Sequence, residues 1–364
     1  MNITSTLLKW YKTHKRNLPW RVTRDPYKIW LSEIILQQTR IDQGLDYYNK
    51  FVSNYPDVSS LAKASETDVL KLWQGLGYYS RARNLHATSI IIVNQYHGKF
   101  PGNFKGLIQL KGIGDYTAAA IASISFNEPV AVVDGNVLRF LTRLHGIKIP
   151  VNTSSGKKII AKIANELIDA DHPGDFNQAI MEFGALYCKP RNPDCGNCIF
   201  KAKCKAYLEE EVKTIPVKTS KSISRKRYFH YLVFISSNEK IFLKKRLGND
   251  IWKNLYDFPV IEKDKPVSEK RILEELIAFA GKGIFTDKNQ LTISKEYKHV
   301  LTHQVILARF YTIELTEFDK FKKLKSVKDK TWIAIQKKHL HQYPVPRLIE
   351  IFLKDNFLIG DLKD

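Results

Sequence analysis

Glu33 is the first residue whose setting invites chemistry. It is the only acid in Ile29-Trp30-Leu31-Ser32-Glu33-Ile34-Ile35-Leu36, an apolar run of helical period. A carboxylate there loses hydration, which raises its pKa and favours the protonated form that a general acid needs near neutral pH. A core glutamate paired with an arginine such as Arg21 fits the same pattern. Asp134 closes a second apolar run, Val130-Ala131-Val132-Val133, and precedes a helical segment, as an N-cap aspartate does. Cys188, Cys195, Cys198 and Cys204 are the only cysteines and fall within seventeen residues. Disulfides spread over small secreted chains, whereas clustered thiols in a long chain that reads as cytosolic point to metal. Their C-x6-C-x2-C-x5-C spacing leaves both zinc and an iron–sulfur cluster open. Cys195 and Cys198 form half of a zinc-deaminase motif, but none of the ten histidines has Glu two residues later.

The elements that must position these groups are mostly helices. Almost nothing in residues 1–130 alternates with period two, so this half reads as all-α. Helical patterns cover 2–17, 27–44, 45–54, 67–75, 80–97 and 103–110. They resume at 115 and continue over 136–146, 155–170 and 175–187. Leu110-Lys111-Gly112-Ile113-Gly114 makes a glycine hairpin between two of them. The helix after it opens with free N–H groups and a positive dipole end, a seat for phosphate. Residues 209–227 turn to Ser, Thr, Lys and Pro without an apolar face and read as a basic linker. Strand-like stretches at 228–235, 240–245, 291–298 and 303–314, with a helix over 268–280, give an α+β second domain. The lysines between 320 and 330 read as a solvated face.

The 364 residues suit about two domains. A net charge of +21 with 12% aromatic residues fits a polyanionic partner, nucleic acid ahead of an anionic membrane surface. No run of about 18 apolar residues is present, so no bilayer-spanning helix is expected. The N-terminal residues lack the order of a signal peptide, and a cytoplasmic, nucleoid-associated location is expected.

Ser32-Glu33 through Gln37-Gln38-Thr39, Gly75-Leu76-Gly77-Tyr78-Tyr79, Leu110 to Ala118, Val133-Asp134-Gly135-Asn136 and the four cysteines follow one another in an order that resembles the helix-hairpin-helix DNA glycosylases. Within them the chain is most similar to the adenine glycosylases, closely over about residues 8–210 and more loosely beyond. The resemblance implies an all-α helix-hairpin-helix catalytic domain over 1–208, the linker over 209–227 and a Nudix-like 8-oxoguanine recognition domain over 228–364. It implies a [4Fe–4S] cluster on Cys188, Cys195, Cys198 and Cys204, and duplex DNA with adenine opposite 8-oxoguanine or guanine as substrate. Glu33 then protonates the departing adenine after base flipping, and Asp134, with Asn136 beside it, stabilises the oxocarbenium-like sugar. Tyr116 stands where related glycosylase/lyases carry a lysine. A phenol forms no Schiff base, so a monofunctional enzyme without strand cleavage is expected.

Arg21, Trp30 and Gln178 match adenine-pocket positions of that family. Gln37 and Tyr78 match residues that enter the base stack or contact the opposite base, and Gln38, Thr39, Gly112 and Gly114 match phosphate contacts. Trp252, Leu255, Tyr256, Phe258 and Pro259 mark the Nudix-like domain, while Arg271 to Glu275 supplies only fragments of a hydrolytic Nudix box. Leu301-Thr302-His303 stands where the family reads 8-oxoguanine with Phe-Ser-His, so Thr302 and His303 are the expected readers. The rivals are a thymine- or uracil-mismatch glycosylase, a noncatalytic iron–sulfur DNA-binding scaffold and a nucleotide-pool Nudix hydrolase. A monomer is the default, with the linker as a place for a repair or replication partner.

Overall fold

The computed structural model describes residues 2–219, 225–280, 291–315 and 331–356. The lysine-rich segment between 320 and 330 lies outside them. The chain forms two compact units: residues 1–64 with 83–220, and residues 65–82 with 221–364. Residues 65–82 thus group with the second unit, a division that boundaries at 208 and 228 do not contain.

In the first unit the described elements are helical: α1 (Ile3–His14), α2 (Pro26–Leu36), α3 (Ile41–Asn54) and α4 (Val58–Lys63) precede the excursion into the second unit. That excursion holds α5 (Glu66–Leu72) and the first turn of α6 (Ser80–Tyr96). The helices then continue with α7 (Phe104–Leu107), α8 (Asp115–Phe126), α9 (Gly135–His145), α10 (Ser154–Leu167), α11 (Pro173–Leu186) and α12 (Lys205–Leu208). Most starts have a chemical cause. Asp25, Asp57, Asn103, Asp134 and Thr153 each cap a helix by accepting a hydrogen bond from a backbone N–H one turn in. α11 packs against α1, α8 and α9, and α2 packs against α3 and α8. Leu31, Ile35, Ile121 and Phe183 lie wholly inside this core.

The single helix expected over 27–44 is instead two. α2 stops at Leu36, Gln38 takes φ 59°, and α3 starts at Ile41. The apolar pattern stops where Gln37-Gln38-Thr39-Arg40 begins, and a left-handed residue cannot continue an α-helix. The expected linker also shortens. Ile215 is buried, its carbonyl accepts from Arg143 Nε (2.9 Å), and Val151 N–H donates to the Val217 carbonyl (3.0 Å). Residues 209–219 are thereby fastened to the first unit, and the first strand of the second begins at Arg225.

Among the described residues, the second unit is built on an eight-stranded mixed sheet. Its strands are β1 (Arg225–Ser236), β2 (Lys240–Lys245), β3 (Tyr256–Asp257), β4 (Val260–Lys263), β5 (Leu291–Ile293), β6 (Tyr297–Val300), β7 (Gln304–Leu315) and β8 (Trp332–Gln336). β3, β2, β1, β7 and β5 lie side by side, β1 and β7 are parallel, and β4, β6 and β8 pair with β1, β7 and β2. α13 (Glu269–Ala280) lays Ile272 and Leu276 on Leu232, Phe234 and Tyr311. α14 (Arg347–Asp355) brings Phe352 face to face with Phe310 (3.8 Å). On α13, Glu275 pairs with Lys263 (2.8 Å) and Arg271 (3.7 Å). β6 and β7 form a hairpin whose turn is Leu301-Thr302-His303, closed by Leu301 N–H donating to the Gln304 carbonyl (2.8 Å).

Candidate active site

Four elements of the first unit meet at one cavity of about 190 Å³. α2 supplies Glu33, α8 supplies Tyr116, the start of α9 supplies Asp134 and Asn136, and α11 supplies Gln178, Met181 and Glu182. The segment between α1 and α2 adds Arg16, Trp20 and Arg21. Glu33 faces the cavity because residues four apart share a helix face, and Ile29 lines it as well. Trp30 falls on another face. It is buried, crosses Phe100 edge-on (5.5 Å) and does not border the cavity. The tryptophan that does is Trp20.

The two carboxylates at the cavity are prepared differently. Glu33 is 7% exposed, and burial pushes its pKa up to about 7. The Tyr116 phenol donates to its Oε2 (2.5 Å) and opposes that rise, the Asp134 charge adds to it, and Arg21 again opposes it. Burial also raises Asp134, but this carboxylate receives three donors: Asn136 N–H (2.8 Å), Val137 N–H (2.7 Å) and Asn136 Nδ2 (2.6 Å). Glu33 has one donor and Asp134 three, an arrangement in which Glu33 holds its proton more readily than Asp134.

Arg21 does not pair with Glu33. Its guanidinium makes a bidentate contact with Glu182 (2.7 and 2.6 Å), and Arg16 joins the same carboxylate (2.9 and 2.6 Å). Burial alone would raise Glu182, yet these donors hold it down at about 2, so the pocket contains a fixed anion. Glu182, Arg16 and Trp20 escaped the sequence reading. Glu182 follows Ala179-Ile180-Met181, the same sign of an acid in apolar company that singled out Glu33.

A hydrogen-bonded chain leads from Asp134 to the cysteine loop. Arg139 donates to Asn136 Oδ1 (3.0 Å), the Gly184 carbonyl (2.5 Å) and the Cys188 carbonyl (2.6 Å). A Cβ on Gly184 would come within 2.7 Å of the Asn136 carbonyl oxygen, so only glycine lets α9 and α11 approach this closely. The four cysteines line one shared cavity with Phe140, Phe183 and Phe200. Arg143 Nη1 donates to Cys188 Sγ (3.5 Å) and Phe200 N–H to Cys198 Sγ (3.5 Å). Four thiols around one space, with a cation and an N–H turned to sulfur, fit the thiolate shell of an iron–sulfur cluster.

The remaining sequence-selected residues lie outside the cavity, except Thr39, which borders it. Gln37 Nε2 donates to Thr117 Oγ1 (3.3 Å) and Gln38 is exposed. Gly112 takes φ 78° with Asn84 beneath it, while Gly114 caps α8 at φ −96°. Both are exposed, leaving the start of α8 open. In the second unit Tyr78 takes φ 48° and its hydroxyl hydrogen-bonds Thr302 Oγ1 (2.6 Å). Thr302 and His303 are exposed at their turn.

This helical fold, with a glycine hairpin, a cavity acid and a capping aspartate, defines a helix-hairpin-helix DNA glycosylase. Residues 31–169 match the model of the HhH-GPD superfamily base excision DNA repair proteins, and residues 230–355 match a NUDIX domain. Among solved structures, a thermostable thymine-DNA glycosylase aligns over 57% of this chain and 95% of its own, with TM-score 0.53 and 32% identity. An endonuclease III in a non-covalent DNA complex aligns over 57% and 94% at TM-score 0.50 and 19% identity, a likeness of fold. The adenine DNA glycosylase of Buchnera aphidicola subsp. Schizaphis graminum is 36% identical over 362 residues, spanning 95% of this chain and 97% of that one. The human adenine DNA glycosylase is 41% identical over 210 residues, 55% of this chain and 38% of that one. The chain belongs to the adenine DNA glycosylase family and is a DNA N-glycosylase of base excision repair.

Proposed function

We propose that this enzyme hydrolyses the N-glycosidic bond of adenine opposite 8-oxoguanine or guanine in duplex DNA, leaving an abasic site. The extruded adenine enters the 190 Å³ cavity, and protonated Glu33 donates to a ring nitrogen as the C1′–N bond breaks. Asp134 holds its negative charge toward the electron-poor sugar, with Asn136 fixing its orientation. Water then adds to C1′, and the proton it sheds restores the acid. Tyr116 keeps Glu33 in place and offers no amine for a covalent sugar adduct. The observation that carries this reading is Glu33, a buried carboxyl with pKa near 7 and a phenol as its partner.

Cys188, Cys195, Cys198 and Cys204 would hold a [4Fe–4S] cluster. When bound, it supplies four metal–thiolate links across a loop that has little regular structure of its own. Gln38, Thr39 and the amides at Gly112–Gly114 hold phosphates. Gln37 and Tyr78 contact the gap and the opposite base, and Thr302 and His303 read the oxidised edge. Support for the last step is their exposure on a tight turn, with the Thr302 hydroxyl already bonded to Tyr78.

A thymine-mismatch glycosylase is the second reading, favoured by the 32% identity to such an enzyme. End-labelled duplexes carrying A opposite 8-oxoguanine, A opposite G, A opposite T and T opposite G separate the two. Alkali-dependent breaks at the first two are expected. Breaks at T opposite G alone, or breaks without alkali, would overturn the proposal.

A further inference from the structure

The cavity orients a carboxamide as well as its two acids. Gln178 is 9% exposed, and its Oε1 accepts a 2.6 Å hydrogen bond from the phenol of Tyr11, a residue of α1 that is 3% exposed. A phenol donates better than it accepts, because its oxygen lone pair is delocalised into the ring. Burial pushes the Tyr11 pKa up to about 12, so the proton to donate is always present. With Oε1 engaged, Nε2 is the donor that Gln178 has left, and it bonds no protein group among the described residues. Gln178 borders the active-site cavity and a second, smaller one beside Arg24 and Asp175. An amide has two orientations that are nearly equal in shape and opposite in hydrogen-bond polarity, so a neighbour must choose between them.

Glu182 already accepts five hydrogen bonds from Arg16 and Arg21, so Gln178 carries the readout argued here. On both its polar edges adenine places the N6 amino group beside a ring-nitrogen acceptor, which an Nε2–H donor fits. Guanine places O6 in that position, next to either N1–H or N7. Reversing the Gln178 amide would remove the donor that adenine requires. We propose that Tyr11 is a positioning residue for base recognition, whose phenol locks the Gln178 amide with Nε2–H toward a ring nitrogen of the extruded adenine. The inference rests on the adenine-excising reading of the cavity.

A double-mutant cycle on single-turnover adenine release tests it. Tyr11→Phe removes one oxygen and keeps the ring, and is expected to slow release about tenfold, the worth of one oriented hydrogen bond. Gln178→Ala should slow it at least as much, and the double variant no more than Gln178→Ala alone, because Tyr11 acts through Gln178. Gln178→Glu, which presents only acceptors, should be slower than Gln178→Ala. Gln178→Met, of similar volume, replaces Gln178→Ala if the truncated protein does not fold. A merely structural Tyr11 would give losses that multiply in the double variant, and that result, or a Tyr11→Phe rate within twofold of wild type, overturns the proposal. A wild-type enzyme that releases no adenine sinks the underlying reading instead.

Discussion

The phenol of Tyr116 donates a 2.5 Å hydrogen bond to Glu33 Oε2, and no other side chain among the described residues bonds that carboxyl. The contact favours the ionised form, against a burial that favours the protonated one, and burial wins at about 7. Adenine release under single-turnover conditions should therefore decline above about pH 7, approaching tenfold per pH unit as the acid form empties. Tyr116→Phe removes the hydrogen bond that favours the carboxylate and leaves only the smaller pull of the Arg21 charge. Its alkaline limb should move to higher pH, measured on the same duplex. A limb that moves down would contradict this assignment.

Glu33 and Glu182 should respond in opposite directions to the same isosteric change. The folded pKa of Glu33 is raised from 4.5 to about 7, so the stability linked to its proton is full below 4.5 and lost as pH rises through 7. That loss is on the order of 3 kcal/mol. Glu33→Gln cannot ionise and should unfold at a higher temperature than wild type at pH 8, with the gap closing towards pH 5.

At Glu182 the folded pKa is lowered to about 2, so its contribution is present above the unfolded value and lost as pH falls through 2. Glu182→Gln leaves two guanidiniums in the pocket, with Arg21 largely buried. A loss of roughly 3–5 kcal/mol is expected in chemical denaturation at pH 7. A neutral effect would mean that solvent already screens both arginines.

The two hairpin glycines should also separate. At Gly112 a Cβ would meet Asn84 at 2.6 Å on a backbone with φ 78°, whereas at Gly114 it would meet nothing within 4 Å. Gly112→Ala should cost about 1–2 kcal/mol of stability, and Gly114→Ala should stay within about 0.5 kcal/mol of wild type, the entropy gain of alanine offsetting its weaker N-cap preference. Thermal unfolding of both variants checks this. If the pair behaves alike, the hairpin does not hold the backbone described.

Much of this site was legible because its chemistry is written in local contrast. An acid inside an apolar run, an aspartate ahead of a helix and a glycine pair between helices each stand out within a short stretch. Glu33, Asp134 and the hairpin were visible for that reason, and the structure puts all three in the first unit, with both acids at one cavity. Trp30, expected in the adenine pocket, does not border the cavity, since composition does not show which way a helix faces. Glu33 and Ile29 share the cavity side, and Trp30 turns into the core against Phe100. Arg21 was foreseen in the pocket, but its partner Glu182 lies 161 residues away. Nothing local ties those two together. The same holds for Tyr11 and Gln178, 167 residues apart. The break at Gln38 and the anchoring of residues 209–219 were hidden likewise, since each depends on tertiary contacts rather than pattern.

The most direct test compares adenine release by wild type and Glu33→Gln at pH 7, under single turnover, on a duplex with A opposite 8-oxoguanine. Binding to the same duplex is measured alongside. Loss of a general acid predicts a rate at least about a hundredfold lower with binding retained. A Glu33→Gln rate within threefold of wild type would contradict the account, since no buried proton would then be needed to release the base.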